Sequence, residues 1–118
     1  HLSLKPGIYA YRDWQTVLHY LQYGEAVDLR ALFMPEIHKI KLYDEEYHTH
    51  YLQTLSAYFE HNCNLKATAE ALHLHRNSTA NRIEKIRQLF RLDLGDFKIC
   101  CSLYGTLRMM NLLESAEK

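Results

Sequence analysis

The sequence predicts an all-α protein, a compact bundle of about six helices. Apolar residues make up 47% of the 118-residue chain, a share typical of a globular domain with a usable core. They recur at three- and four-residue intervals, and strand-like alternation is nearly absent. Residues that commonly start or end helices separate the apolar stretches. Together these patterns favour helices throughout the chain.

The first 43 residues predict two helices and a short third. Asp13 can cap the first helix, and Gly24 fits its end. The second spans residues 25–34 and stops at Pro35, because proline cannot continue a helix. Residues 36–43 carry irregularly spaced apolar residues, which indicate only one or two helical turns.

A long amphipathic helix is predicted over residues 46–61. The acidic run Asp44-Glu45-Glu46 lies at its start, where carboxylates favourably meet the positive end of a helix. That interpretation explains the run without a catalytic role. The side chains predicted to face the core are Leu52, Leu55, Tyr58 and Phe59.

Residues 64–89 predict two short helices joined by a tight turn. Asn64 can cap the first, over residues 65–72, and the second spans about residues 76–89. The three residues between them match the connection that sets two helices at about 90–120° to each other. This is the outline of a helix-turn-helix. The residues predicted to lie between the two helices are Ala69, Leu72, Leu74, Ile83, Ile86 and Leu89.

The last helix is predicted to begin after Asp96, which can cap it, and to reach about Leu113. A second apolar stripe on it, formed by Tyr104, Met109 and Leu112, leaves two alternatives open. It either belongs to a single well-filled core or forms a homodimer interface. The first apolar stripe of this helix is predicted to pack on the two helices of the helix-turn-helix. It consists of Ile99, Leu103, Leu107, Met110 and Leu113.

The second helix of the motif carries polar side chains of the kind that bind nucleic acid. Arginine and lysine bind phosphates, and asparagine can pair with adenine. The alternative is a plain pair of packed helices with a solvated polar face. The polar residues concerned are Arg76, Asn77, Asn81, Arg82 and Lys85.

The charge of the chain is unevenly distributed although its formal sum is zero. Residues 1–62 hold five Lys/Arg against eight Asp/Glu, whereas residues 63–118 hold nine against six. Residues 64–91 alone hold six Lys/Arg against two Asp/Glu. This modest excess of cations predicts salt-sensitive DNA binding that is not tight for an isolated monomer.

One long stretch of the chain resembles the C-terminal DNA-binding domain of the PucR/CdaR family of bacterial transcriptional regulators. It reads HNCNLKATAEALHLHRNSTANRIEKIRQLFRLDL, and similarity extends over residues 42–113. The most specific runs are NLKATAEAL and HLHRN, at residues 64–72 and 73–77. The resemblance implies sequence-specific binding of double-stranded DNA, with a recognition helix of about residues 76–89 in the major groove.

The chain departs from the family within that second helix. Members usually read close to H-R-N-T-L-R-Y-R-L where residues 75–83 read HRNSTANRI. Thr79 replaces an apolar residue, Ala80 a basic one and Asn81 an aromatic one. These changes favour an alternative function, a helical dimerisation or protein-interaction module with weakened DNA binding.

Seven residues are candidates for contact with DNA. The resemblance implies five of them, whereas His75 and Asn81 are added because an imidazole can contact a phosphate and an amide can pair bidentately with adenine. The expected base readers are Arg76, Asn77 and Asn81, and the expected phosphate contacts are His75, Ser78, Arg82 and Lys85.

The resemblance also implies how the chain is organised. Residues 44–118 are expected to form the PucR-type helix-turn-helix domain. Residues 1–43 form a helical segment that either belongs to it or is the tail of a preceding regulatory domain. Because the chain begins with His, we expect a domain excised from a longer regulator with an upstream sensory domain. A homodimer would place two recognition helices on half-sites about one helical turn apart.

The sequence predicts no metal site, no cofactor and no enzyme. Histidines two residues apart, as in His48/His50 and His73/His75, point in different directions on a helix and do not converge on an ion. The three cysteines lack C-x-x-C spacing. There is no Gly-rich phosphate loop and no nucleophile with an evident base.

Cysteine usage predicts a cytoplasmic protein. Cys63, Cys100 and Cys101 are odd in number, and adjacent cysteines do not easily bridge within a helix, which indicates a reducing compartment. No apolar run approaches the roughly 20 residues that span a bilayer, and no signal peptide is evident. We therefore expect no membrane partner.

Overall fold

The computed structural model describes residues 33–117 of the chain and forms five helices from them. No strand occurs among these residues, so the all-α prediction is confirmed. The two helices predicted before Pro35 lie almost wholly outside the described residues. The five helices are α1 (Pro35–Tyr47), α2 (Tyr51–Glu60), α3 (Leu65–Leu72), α4 (Arg76–Leu89) and α5 (Phe97–Glu117).

The described residues belong to two compact units. One unit, Met34–Tyr104, holds α1 to α4 and the beginning of α5. The other takes in the rest of α5, from Gly105 onward. Within the first unit, α2 packs against α1, α3 and α4, and α3 packs against α4.

The core of the unit Met34–Tyr104 draws on every helix in it. The side chains of Ile37, Ile40, Leu55 and Ile86 are completely buried. Full burial of such a side chain stabilises a fold by about 1.5–3 kcal/mol relative to leaving it in water. The same core includes Ala69 of α3, which is 4% exposed. Its small side chain fits the close approach of α3 and α4.

Pro35 begins a helix. It is the first residue of α1. At that position the lack of an N–H costs no intrahelical hydrogen bond, and the fixed φ of proline suits the helix. Met34 precedes it in an extended conformation, as the residue before a proline generally does. The one or two turns predicted for residues 36–43 are therefore too few, because α1 has 13 residues.

The prediction of one helix over residues 46–61 is wrong about where that helix begins. α1 continues to Tyr47 and ends at His48, whose φ of 55° is left-handed, and α2 begins only at Tyr51. The acidic run Asp44-Glu45-Glu46 accordingly lies in the last turn of α1. Its first residue, Asp44, nevertheless meets the start of α2 as predicted, because its carboxylate accepts the backbone N–H groups of Tyr51 and Leu52. Leu55 faces the core as predicted, and the other three predicted core residues of α2 are half-buried.

Leu89, predicted to continue the apolar face of α4, is 47% exposed, so that prediction is wrong. Successive residues are about 100° apart around a helix axis, which turns Leu89 about 60° away from the buried Ile86 and toward solvent. The remaining residues predicted between the motif helices, Leu72, Leu74 and Ile83, are half-buried.

α5 begins with the predicted cap, since the Asp96 Oδ1 accepts the backbone N–H of Lys98 at 2.9 Å. The helix extends beyond the predicted end at Leu113. Met109 and Leu112 of the second apolar stripe are 7% and 6% exposed, so the single chain already covers them. Leu103, Leu107 and Leu113 are buried as well, whereas Ile99, Tyr104 and Met110 are half-buried.

Candidate nucleic-acid interface

α3 has the boundaries that the sequence predicted, residues 65–72. Asn64 caps it, because its side-chain Oδ1 accepts the backbone N–H of Ala67 at 2.9 Å. The helix ends at His73, which adopts a left-handed φ of 55°. The backbone N–H of Leu74 then donates to the Ala69 carbonyl and that of His73 to the Glu70 carbonyl, the pattern of a Schellman cap.

α4 likewise has the predicted boundaries, and His75 caps its start. The imidazole Nδ1 of His75 accepts the backbone N–H of Asn77 at 3.2 Å. Because Nδ1 acts as acceptor, Nε2 of the neutral ring carries the proton and is a donor. The backbone carbonyl of His75 accepts the N–H of Thr79 at 3.0 Å. The three residues 73–75 thus form the turn of the helix-turn-helix.

The outer face of α4 is defined here by Asn77, Asn81 and Lys85, all of which are exposed. At 100° per residue these three residues lie roughly opposite the fully buried Thr79 and Ile86. The face therefore points away from the core. The other exposed candidates, at the beginning of α4, are His75, Arg76 and Ser78.

Arg82 is the candidate that the structure places differently from the rest. Its side chain is half-buried, and its Nη1 donates a hydrogen bond to the Thr54 Oγ1 of α2 at 3.2 Å. Around α4 it lies on the flank between the core side and the outer face. The sequence did not predict this contact, because the two residues are 28 positions apart.

Two further exposed residues, Glu84 and Gln88, lie beside the outer face and were not predicted from the sequence. Both are exposed, and their helical positions fall beside Asn77 and Asn81. Glu84 accepts hydrogen bonds from the guanidinium of Arg87 and, at 2.9 Å, from Gln88 Nε2. Their spacing of three and four residues was a usable signal.

The ion pair between Glu84 and Arg87 alters the charge of this surface. The Arg87 guanidinium lowers the pKa of the Glu84 carboxyl, and Glu84 in turn raises the pKa of Arg87. Both side chains are about half exposed, so the pair contributes little to stability. The negative charge of Glu84 therefore lies beside the lysine and asparagine side chains on the exposed side of α4.

Thr79, one of the departures from the family pattern, fits the core despite its hydroxyl. It is completely buried, and its Oγ1 donates to the His75 carbonyl at 3.2 Å. A buried hydroxyl with a partner avoids the cost of an unsatisfied polar group. Ala80 is half-buried, and Asn81 is exposed on the outer face. α4 therefore forms over its predicted residues 76–89 with these three side chains in place.

The pKa values of the Cys63 and Cys100 thiols are both raised. Burial raises the pKa of Cys100 to about 11, and the neighbouring Cys63 adds to this rise. Burial likewise raises the pKa of Cys63. Since the thiolate is the reactive form, neither group resembles a catalytic cysteine. Residues 33–117 contain no cluster of three or more His, Cys, Asp or Glu side chains that could hold a metal ion.

Comparison with known proteins agrees with this geometry. The model of the PucR C-terminal helix-turn-helix domain family matches residues 51–109, which include α2, α3, α4 and the first part of α5. The chain belongs to this family. It therefore carries the helix-turn-helix domain of PucR-type transcriptional regulators, as its resemblance implied.

Three similar proteins are full-length regulators from two bacteria. The proline-responsive transcriptional activator PutR of Bacillus subtilis (strain 168) is 36% identical over 93 residues, which are 75% of this chain and 23% of PutR. The carbohydrate diacid regulator of Escherichia coli (strain K12) is 42% identical over 57 residues, 48% of this chain and 15% of that protein.

The purine catabolism regulatory protein of B. subtilis (strain 168) is 39% identical over 62 residues, 52% of this chain and 12% of that protein. The chain thus spans less than a quarter of the length of each of these relatives. No solved structure matches it. Among the described helices, none combines the length and the apolarity needed to cross a bilayer.

Proposed function

We propose that the chain is the DNA-binding output domain of a bacterial transcription regulator, with α4 as its recognition helix. The outer face of α4 carries this proposal, because Asn77, Asn81 and Lys85 are exposed along one side of a helix whose opposite side is buried. The major groove of B-DNA, about 12 Å wide, admits such a helix. The matched family supports the same conclusion.

The side chains of α4 divide into two proposed roles. Arg76, Asn77 and Asn81 would read base edges, since arginine pairs with guanine and asparagine with adenine. Ser78 and Lys85 would hold phosphates and fix the position of the helix along the groove. Arg82 would also bind a phosphate, from the flank of the helix. His75 would donate from Nε2, because its Nδ1 already caps α4.

Partners and location follow from the same proposal. A modest local excess of cations gives a monomer weak affinity, so we propose that a homodimer binds two half-sites. Exposed apolar side chains that could serve such an interface include Leu42, Tyr47, Leu89 and Phe97. A sensory domain upstream in the full-length protein would supply the signal, and the regulator would act in the cytoplasm.

The proposal is tested by selecting binding sites from randomised DNA duplexes at two salt concentrations. We expect an enriched half-site or palindrome whose affinity falls as salt rises, because binding releases counterions from each neutralised phosphate. Arg76→Ala should weaken binding and broaden the selected sequence at one position, at a cost of about 1–3 kcal/mol. Failure to enrich any sequence would overturn the proposal.

Lys98→Ala is the matched control for these measurements. Lys98 is an exposed cation in the first turn of α5, outside the helix-turn-helix. Its loss should change the selected sequence little. If Lys98→Ala and Arg76→Ala weakened binding to every DNA sequence equally, α4 would not be the helix that recognises the bases.

The alternative is a helical dimerisation or protein-interaction module with weakened DNA binding. It is favoured by Ala80, which leaves no cation at its position, and by Glu84, an exposed carboxylate beside the outer face. Light scattering after size exclusion, at high protein concentration, tests its association. A monomer that also selects a DNA sequence would exclude this alternative.

A further inference from the structure

We infer that Thr54 is a positioning residue for DNA binding, whose buried hydroxyl holds the Arg82 guanidinium at the flank of α4 for contact with a phosphate. The inference rests on the proposed function. It adds a residue from α2, outside the helix-turn-helix, to the machinery that binds DNA. Nothing in the sequence pattern of α2 indicated this role.

The orientation of the Thr54 hydroxyl follows from its two partners. Its Oγ1 lies 2.8 Å from the His50 carbonyl oxygen and 3.2 Å from Arg82 Nη1. A carbonyl only accepts and a guanidinium only donates. The single hydroxyl proton must therefore point to His50, which leaves an oxygen lone pair for Arg82. Because Thr54 is completely buried, this arrangement is shielded from water.

The contact leaves most of the guanidinium available. Arginine has five N–H donors in one rigid plane, and the described part of the chain gives Arg82 one hydrogen bond, to Thr54. The side chain is half-buried, so part of it still reaches solvent. A guanidinium held at one corner can present its remaining N–H groups to a phosphate without first being ordered.

The start of α2 lies within the electrostatic reach of Arg82. Burial and the neighbouring Tyr43 raise the pKa of the Tyr51 phenol, and the positive charge of Arg82 acts in the opposite direction. Tyr51 is three residues before Thr54 and therefore on the same side of α2. The guanidinium thus lies against this side of α2, as the hydrogen bond to Thr54 requires.

Ordering a flexible side chain at an interface costs enough to be measured. Fixing Arg82 in advance removes that cost from DNA binding, a benefit of roughly threefold to tenfold in affinity. A purely structural bond between α2 and α4 makes a different prediction. In that case loss of the Thr54 hydroxyl would lower stability and leave DNA affinity unchanged at temperatures where the protein is folded.

The test is a double-mutant cycle on affinity for the selected duplex, measured well below each variant's melting temperature. Thr54→Val keeps the side-chain shape and removes the acceptor, whereas Thr54→Ser keeps the hydroxyl. Arg82→Gln removes the charge. We expect Thr54→Val to weaken binding roughly threefold to tenfold, with Thr54→Ser close to the original chain. In the Arg82→Gln background, Thr54→Val should have no further effect.

The salt dependence of binding separates the possible failures. Arg82→Gln should reduce the slope of log affinity against log salt by about 0.9, the value for one phosphate contact. If it leaves the slope unchanged while Arg76→Ala reduces affinity, the inference about Thr54 is overturned and the proposed function stands. Equal effects of Thr54→Val in both backgrounds also overturn it. If the original chain selects no duplex, the proposed function itself fails.

Discussion

Asp44, in the last turn of α1, caps the next helix by accepting the backbone N–H of Leu52 on its Oδ2 at 3.0 Å. Its Oδ1 accepts the N–H of Tyr51 at 2.9 Å and the hydroxyl of Thr49. The first N–H groups of a helix have no partners within it, and they carry partial positive charge. One carboxylate therefore satisfies two of them in α2 and ties α1 to α2.

Removing this carboxylate should destabilise the unit Met34–Tyr104. We expect Asp44→Ala to lower the free energy of unfolding by about 1–2 kcal/mol, the usual effect of losing a helix cap. Urea denaturation followed by circular dichroism measures it. Glu45→Ala is the matched control, because Glu45 is an exposed neighbour in the same helix. Equal effects of the two substitutions would contradict the role of Asp44.

Thr79→Val should leave stability within about 1 kcal/mol of the original chain, or raise it. The His75 carbonyl that accepts the Thr79 hydroxyl already accepts the Thr79 backbone N–H, so the substitution leaves no acceptor without a donor. Valine has nearly the same shape and removes a buried polar group. Thermal unfolding provides the comparison. A loss well above this range would show that the hydroxyl is needed to begin α4.

Gly105→Ala should stabilise α5 by about 0.5–1 kcal/mol, because glycine loses more conformational freedom in a helix than alanine does. A Cβ at Gly105 would meet nothing within 4 Å. Gly95→Ala is the control, since a Cβ there would lie 3.3 Å from the Asp93 Oδ1 and the residue is outside the helices. An unchanged melting temperature for Gly105→Ala would contradict this expectation.

Stability should fall as the pH rises from 9 to 11. The pKa of Cys100 is raised from 9.0 to about 11 in the folded chain, so the folded form keeps its proton where the unfolded thiol ionises. The unfolded state binds fewer protons than the folded state over this interval, so the free energy of unfolding falls as the pH rises. Denaturation at a series of pH values measures the loss.

Cys100→Ala should flatten this pH dependence even if it lowers stability at neutral pH. Some dependence should remain, because burial also raises the pKa of Cys63 and Tyr58. Identical pH profiles for Cys100→Ala and the original chain would rule out Cys100 as a source of the effect.

Glu84→Gln should strengthen binding to an unselected duplex by roughly twofold to fivefold at low salt, since it removes a carboxylate that repels phosphates. It also frees Arg87 from its ion pair. Glu70→Gln, an exposed carboxylate of α3, is the charge-matched control. Weaker binding of Glu84→Gln to the selected duplex alone would instead indicate that Glu84 accepts a hydrogen bond from a cytosine.

Local chemistry made the helix-turn-helix predictable. Asn64 accepts from an amide three residues along the chain, and α3 and α4 have the boundaries expected from capping and turn length. These interactions join residues a few positions apart, so the pattern of the chain contains them. The family resemblance depends on the same stretch and is confirmed.

The break between α1 and α2 was not predictable in this way. Residues 46–61 have the spacing of one helix, yet His48 adopts a left-handed conformation and Asp44 takes the amides of Tyr51 and Leu52. Helical spacing is nearly the same for one long helix as for two shorter ones. Only the packing of α1 on α2 distinguishes them.

The sequence by itself determined the helical class, the motif, its caps and the polar composition of α4, because each depends on neighbours within one or two turns. The tertiary structure decided which polar residues are free to meet a ligand. It buried Thr79, turned Leu89 to solvent and joined Arg82 to Thr54 across 28 positions. The direction of a side chain depends on the helices packed around it, and those contacts come from distant parts of the chain.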